Sequence, residues 1–140
     1  MHIVKINPSV ITPVRGTEFS AGYDIFMPED GIAYANQETK VSLGFKLAIP
    51  TGSVALILPR SGMGVKYGLE LNNTCGVIDS DYRGEWMCSL KLKRIEELRW
   101  SKGDRLLQFV VVPCLRTEIT EVDELPLTAR GEGGWGSTGK

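Results

Sequence analysis

The chain has 140 residues, 42% apolar and 24% charged, which fits one globular domain and is too apolar for disorder. Sixteen Lys and Arg against seventeen Asp and Glu leave a formal net charge of −1, which argues against a broad basic face for nucleic acid. The one histidine is His2, so a Ser-His-Asp triad, a Cys-His pair, an HExxH zinc site and the HxE zinc-deaminase signature are all excluded.

Taken from the N-terminus, Ile3–Ile6 reads as a first strand, and the opening MHIVKINPSV lacks the apolar run of a signal peptide. No stretch approaches the ~20 apolar residues of a membrane span. The expectation is a cytoplasmic protein, or one of the host cytoplasm if the source is viral, with neither membrane nor nucleic acid as partner. Further strands are expected at Thr39–Leu43, Lys46–Ile49, Val54–Leu58, Met87–Leu92, Leu106–Val112 and Glu118–Val122. Leu56 to Leu58 and Val110 to Val112 are unbroken apolar runs, which predicts strands buried on both faces. Only Ser61–Tyr67 and Ile95–Trp100 have room for a helical turn or two. The three cysteines (Cys75, Cys88 and Cys114) show no CxxC spacing and read as reduced packing residues. Many short strands, turns rich in glycine and proline, and no long amphipathic helix predict an all-β sandwich, barrel or jelly roll. Residues 129–140 break this texture. They are glycine-rich with no core-forming period, so they read as a mobile arm on a core of residues 1–128.

Three clusters carry chemistry. Pro59-Arg60-Ser61-Gly62 follows an apolar strand, and an Arg, a hydroxyl and a glycine-freed backbone there form either a small anion site or a plain surface loop. In the stretch from Asn73 to Gly84, Asp79 follows two β-branched residues and precedes a turn, where a carboxylate is held beside a cleft. Asn73 adds a donor and an acceptor, and Tyr82 a flat face; an Asp-rich hairpin turn is the alternative. The arm matches GxGxxG and GxxxxGK, yet no βαβ unit surrounds the first and the chain ends where the second needs its helix. What survives is a polyphosphate-wrapping set of Arg130, Ser137, Thr138 and backbone N–H groups.

Read jointly, five segments resemble the motifs of the trimeric dUTPase family in order. They are Ala21-Gly22-Tyr23-Asp24, Pro59-Arg60-Ser61-Gly62-Met63-Gly64, Gly76-Val77-Ile78-Asp79-Ser80-Asp81-Tyr82-Arg83-Gly84, Gly103-Asp104-Arg105-Leu106-Leu107-Gln108 and Arg130 through Gly139. Two positions depart: Trp135 stands where the family usually has Phe, and Leu107 where it commonly has Ala.

The resemblance implies a distorted jelly-roll β-barrel with a flexible C-terminal arm, assembled as a homotrimer whose sites are shared between subunits. It implies hydrolysis of dUTP to dUMP and pyrophosphate, keeping uracil out of DNA and supplying dUMP for thymidylate synthesis. Carried over, Asp79 is the general base for a water attacking the α-phosphorus. Gln108 lies near that water, and Asp24 supports the base or the water shell of Mg²⁺. The metal is held mainly by phosphates and water, with no direct protein ligand. Arg60, Ser61 and Gly62 hold phosphate oxygens, and Arg130, Ser137 and Thr138 close over the γ-phosphate. Asn73 with the backbone of Gly76, Val77 and Ile78 reads the uracil edge. Tyr82 stacks on the deoxyribose, while Trp135 and Gly136 cover the base. The rivals are a dCTP deaminase of the same fold, which needs a Glu at the ring and lacks this arm, and a regulatory protein reusing the fold to bind another protein.

Overall fold

The computed structural model describes residues 1–137. Twelve short strands and one short helix follow in chain order: β1 (His2–Lys5), β2 (Val14–Arg15), β3 (Tyr23–Ile25), β4 (Gly31–Tyr34), β5 (Thr39–Ser42), β6 (Phe45–Ala48), β7 (Ser53–Pro59), α1 (Ser61–Tyr67), β8 (Leu69–Leu71), β9 (Gly76–Asp79), β10 (Met87–Leu92), β11 (Glu97–Trp100) and β12 (Leu107–Pro113). All pairings are antiparallel. The largest sheet has the order β2-β3-β12-β7-β9, a second runs β5-β10-β8, and β1-β6 and β11-β4 form two ribbons. Neighbours in space are mostly distant in sequence, the long-crossing connectivity of a jelly-roll β fold.

Period-two alternation decides what faces inward. Ile25, Ala55, Ile57, Leu107 and Phe109 of the large sheet are fully buried, and Phe45, Leu71 and Leu90 oppose them from the other elements. Trp86, at 0% exposure, sits at the centre with its ring 5.5 Å from Phe45 and edge-on to Phe109 at 5.1 Å. Tyr23 stacks on the other side of Phe109 at 5.0 Å. Such aromatic pairs add ~0.5–1.5 kcal/mol each beyond area burial.

Four expectations change. Ile95–Trp100 holds strand β11 rather than a helical turn, because Leu98 and Trp100 alternate inward with Glu97 and Arg99 outward and the ribbon partner β4 supplies the ladder. Glu118–Val122 forms no strand among the described residues: every position from 112 to 132 is exposed, and a strand without a neighbour leaves its backbone groups unpaired. The apolar runs in β7 and β12 are buried on one face only. Their outer-face residues, including Val54, Leu56 and Val110, are half-buried in the single chain, and Val112 is exposed. Of the cysteines, Cys88 alone is fully buried, Cys75 is half-buried and Cys114 is exposed, since it lies where β12 leaves the sheet.

Candidate active site

The outer face of the large sheet carries the chemistry. In β3 and β12 the alternation that buries Ile25 and Leu107 turns Asp24 and Gln108 to the other side. The register places these two directly opposite each other, with Leu58 opposite Gln108 on the far flank. Pro59 then ends β7, and Arg60 starts the turn into α1 in extended backbone, its N–H donating to the Leu106 carbonyl at 2.9 Å. Three side chains from distant motifs thus share one cavity of about 450 Å³, with Ser61, Gly22 and Ser20 at its rim.

Asp24 is the one buried acidic residue among those described, at 7% exposure. Two guanidiniums cover it: Arg60 Nε at 2.9 Å from one carboxylate oxygen and Arg105 Nη1 at 3.0 Å from the other. Arg60 also donates through Nη1 to the Arg105 carbonyl at 3.2 Å. One carboxylate against two guanidiniums leaves the cluster a net positive charge, and it fixes the plane of Arg60. Gln108 is held as firmly. Its Nε2 donates to the Pro59 carbonyl at 3.2 Å, and a Cβ on Gly22 would lie 2.5 Å from its Oε1. Only glycine at position 22 leaves that rotamer open.

Asp79 closes β9 opposite Val54, on the same outer face but toward the other end of β7. Val54 and Leu58 are four residues apart, which is about 13 Å along a strand. Asp79 lines a separate cavity of about 500 Å³ with Val54, Val77, Ser80, Cys114 and Arg116. Its carboxylate takes part in no ion pair among the described residues. The loop that leads from β8 into β9 carries Asn73, and β9 itself carries Gly76–Ile78. In that loop Thr74 adopts φ 68°, and the Cys75 N–H donates to the Asn73 carbonyl at 2.7 Å, the i to i+2 bond of a γ-turn. Asn73 and Val77 are exposed, Gly76 and Ile78 half-buried. After β9 the chain turns through a Tyr82 N–H to Asp79 carbonyl bond of 3.1 Å, and the Tyr82 hydroxyl donates to the Glu85 carbonyl at 3.0 Å.

The sites expected from sequence therefore fall into three places. Asp24, Arg60, Ser61 and Gln108 converge, with Gly62 beside them on α1 in open space. Asp79, Val77 and the Tyr82 turn form a second group. Arg130, Trp135, Gly136 and Ser137 join neither: among the described residues the last hydrogen bond from this end of the chain to the core is the Cys114 N–H to Gly52 carbonyl, and Trp135 is fully exposed. Thr138 lies outside the described residues. Two basic residues were not singled out by their pattern. Arg105 sits inside the fourth motif, where its ion pair required the β3–β12 register to be known. Arg116, from a stretch without a motif, has no sequence signal.

A family model described as dUTPase matches residues 9–139. Deoxyuridine 5′-triphosphate nucleotidohydrolase of Paramecium bursaria Chlorella virus 1 is 42% identical over 137 residues, covering 98% of this chain and 96% of that one. The enzyme of the same name from Nautilia profundicola is 39% identical over 140 residues, covering 100% and 99%. Among solved structures, the Staphylococcus bacteriophage 80alpha dUTPase with dUpNHpp superposes with a TM-score of 0.89 at 26% identity, covering 99% of this chain and 98% of that one.

Proposed function

The chain belongs to the dUTPase family and is a dUTP diphosphatase, a hydrolase of nucleotide metabolism, and from that premise we propose how its residues divide the reaction. Asp79 takes the proton of a water as its oxygen attacks the α-phosphorus, and the bond from that phosphorus to the bridging oxygen breaks, releasing pyrophosphate and leaving dUMP. Gln108 orients the water. Arg60, with Ser61 and the Gly62 backbone, holds phosphate oxygens. Asn73 and the Gly76–Ile78 backbone read the uracil edge, Tyr82 faces the deoxyribose, and Trp135, Gly136, Arg130, Ser137 and Thr138 of an arm spanning 129–140 cover the base and the γ-phosphate.

The observation that carries this reading is the distance between the two cavities on one sheet face. A base set about 13 Å from Gln108 along β7 does not reach the same phosphate within one chain. A second copy that brings its Arg60–Gln108 cavity against the first copy's Asp79 completes a site, and the detached C-terminal segment reaches it from a third. A closed three-fold ring satisfies all contacts at once, and the half-buried outer face of β7 and β12 supports such association.

Magnesium fits the residues present. Asp24 already accepts two guanidiniums, and among the described residues no group of three or more His, Cys, Asp or Glu converges. That donor set suits an ion carried by phosphate oxygens and waters, as Mg²⁺ prefers, with Asp24 accepting from one of those waters. When bound, the ion would supply neutralisation of phosphate charge. The three free cysteines support a reducing, cytoplasmic setting.

Co-refolding tests the division. Asp79→Asn chains with an intact arm are mixed with wild-type-core chains ending at Ala129. Each parent is nearly inactive, and random mixing in a ring restores a base and an arm together at about one site in four. Mixed assemblies, verified by mass, that stay as inactive as their parents overturn the shared site. Ammonia released from dCTP, in place of pyrophosphate from dUTP, would mark the deaminase chemistry instead.

A further inference from the structure

Gly84 lies two residues beyond Tyr82 and carries no side chain of its own, yet the tyrosine ring rests directly on it. A Cβ built at Gly84 would stand 2.5 Å from the ring Cζ and 2.8 Å from Cε2, with the hydroxyl closer still; non-bonded contacts to a Cβ essentially never fall below 3.0 Å. Something must move when the Cβ is added, and the surroundings decide what. On the C-terminal side, the Glu85 carboxylate accepts from the Ser42 hydroxyl and from the Gly44 N–H at 3.2 Å. Trp86, wholly buried, donates its backbone N–H to the Phe45 carbonyl at 3.0 Å, and its backbone carbonyl accepts from the Leu43 N–H at 2.9 Å. On the N-terminal side, Arg83 Nη1 donates to the Ser80 and Tyr82 carbonyls at 2.8 and 2.9 Å, and the Tyr82 N–H is bonded to Asp79. The backbone is pinned from both directions. The Tyr82 ring, 43% exposed and tied at its tip by one hydrogen bond to the Glu85 carbonyl, is the part free to swing.

We propose that Gly84 is a specificity-determining positioning residue: its bare Cα is the seat that holds the Tyr82 ring in the place from which it excludes a ribose 2′-hydroxyl. The inference rests on the reading of Tyr82 as the sugar-facing ring. A methyl at position 84 evicts the ring, breaks its bond to Glu85 and opens the space beside Asp79 to a ribonucleotide.

The measurement is the ratio of kcat/KM for dUTP to that for UTP in full-length wild type, Gly84→Ala, Tyr82→Ala and the double variant, with thermal unfolding alongside. A merely structural defect lowers both substrates together and leaves the ratio alone. The expected result is a ratio lowered about 10-fold or more by Tyr82→Ala, lowered to a similar level by Gly84→Ala, and not lowered further in the double variant, as two changes acting on one ring require. A wild-type ratio in Gly84→Ala beside a lowered ratio in Tyr82→Ala overturns the seat, and so do losses that multiply in the double variant. A wild-type ratio in Tyr82→Ala instead removes the premise about the ring. Should Gly84→Ala fail to fold, the double variant decides, since it lacks the clashing ring: recovery of folding supports the seat and continued failure overturns it.

Discussion

The two cavities on the outer face of the large sheet share a scaffold and differ in how their charges are held. Around Asp24 every functional group is already committed: two arginines on one carboxylate, Gln108 on the Pro59 carbonyl, Gly22 beneath it. Around Asp79 the carboxylate is exposed and outside any ion pair among the described residues, the γ-turn before β9 is held through its backbone, and the Tyr82 ring is tied by one hydrogen bond from its hydroxyl. On the proposed division of the reaction, the first grips the polyphosphate. The second suits a group that must take up a proton and release it, which a tight ion pair would oppose.

The sharpest way to break this contrast is at Asp79. Asp79→Asn is expected to lower pyrophosphate release by ~10²–10⁴-fold, while thermal unfolding stays within the small range of an exposed substitution. A variant that keeps its activity would move the base elsewhere. Gly22→Ala probes the committed cavity next. The methyl drives Gln108 off its rotamer, so kcat for dUTP falls about 10-fold, the scale of a misplaced orienting group. The preference for dUTP over dCTP and dTTP, read at the other cavity, is unchanged. A change in that preference would show that the cavities are not independent. Arg105→Ala removes one of the two guanidiniums on Asp24. Because Arg105 is 44% exposed, the stability loss is about 1 kcal/mol, measured by urea unfolding. KM rises as Asp24 loses the guanidinium on its second oxygen and so anchors Arg60 less firmly, whereas the same change should leave the Asp79 turn intact.

Smallest in effect is the contrast among thiols. Burial pushes the Cys88 thiol up to about 12, so it stays protonated in the native chain, while Cys114 stands exposed in the Asp79 cavity. A thiol reagent at pH 8 is expected to label Cys114 first and Cys88 only on unfolding. The same shift makes the native state keep a proton that the unfolded chain loses. Stability from this group is complete below about pH 9 and declines toward pH 12, a slope that Cys88→Ala should remove.

Much of this was legible in the chain itself. Short apolar runs located β1, β5, β6, β7, β10 and β12, Ser61–Tyr67 had room for the turns of α1, and the ordered motifs named Asp24, Arg60, Asp79, Gln108 and Tyr82. Strands β2, β3 and β8, of two or three residues, hold no period to read, and the four-residue β4 and β9 each open on a glycine that reads as turn. Nor was β11 separable from a helical turn until β4 was seen beside it.

Local residue order thus determined the all-β class and which side chains have suitable chemistry, because periodicity and turn formation act over a few neighbouring positions. Register between strands distant in sequence determined everything about their company. That Gln108 faces Asp24, that Arg105 covers Asp24, and that Asp79 stands about 13 Å from Gln108 along β7 are consequences of ladders and packing that close loops of eighty-one residues and more, as between Asp24 and Arg105. No local pattern encodes such pairings, since their free energy resides in contacts that exist only once the sheet has formed.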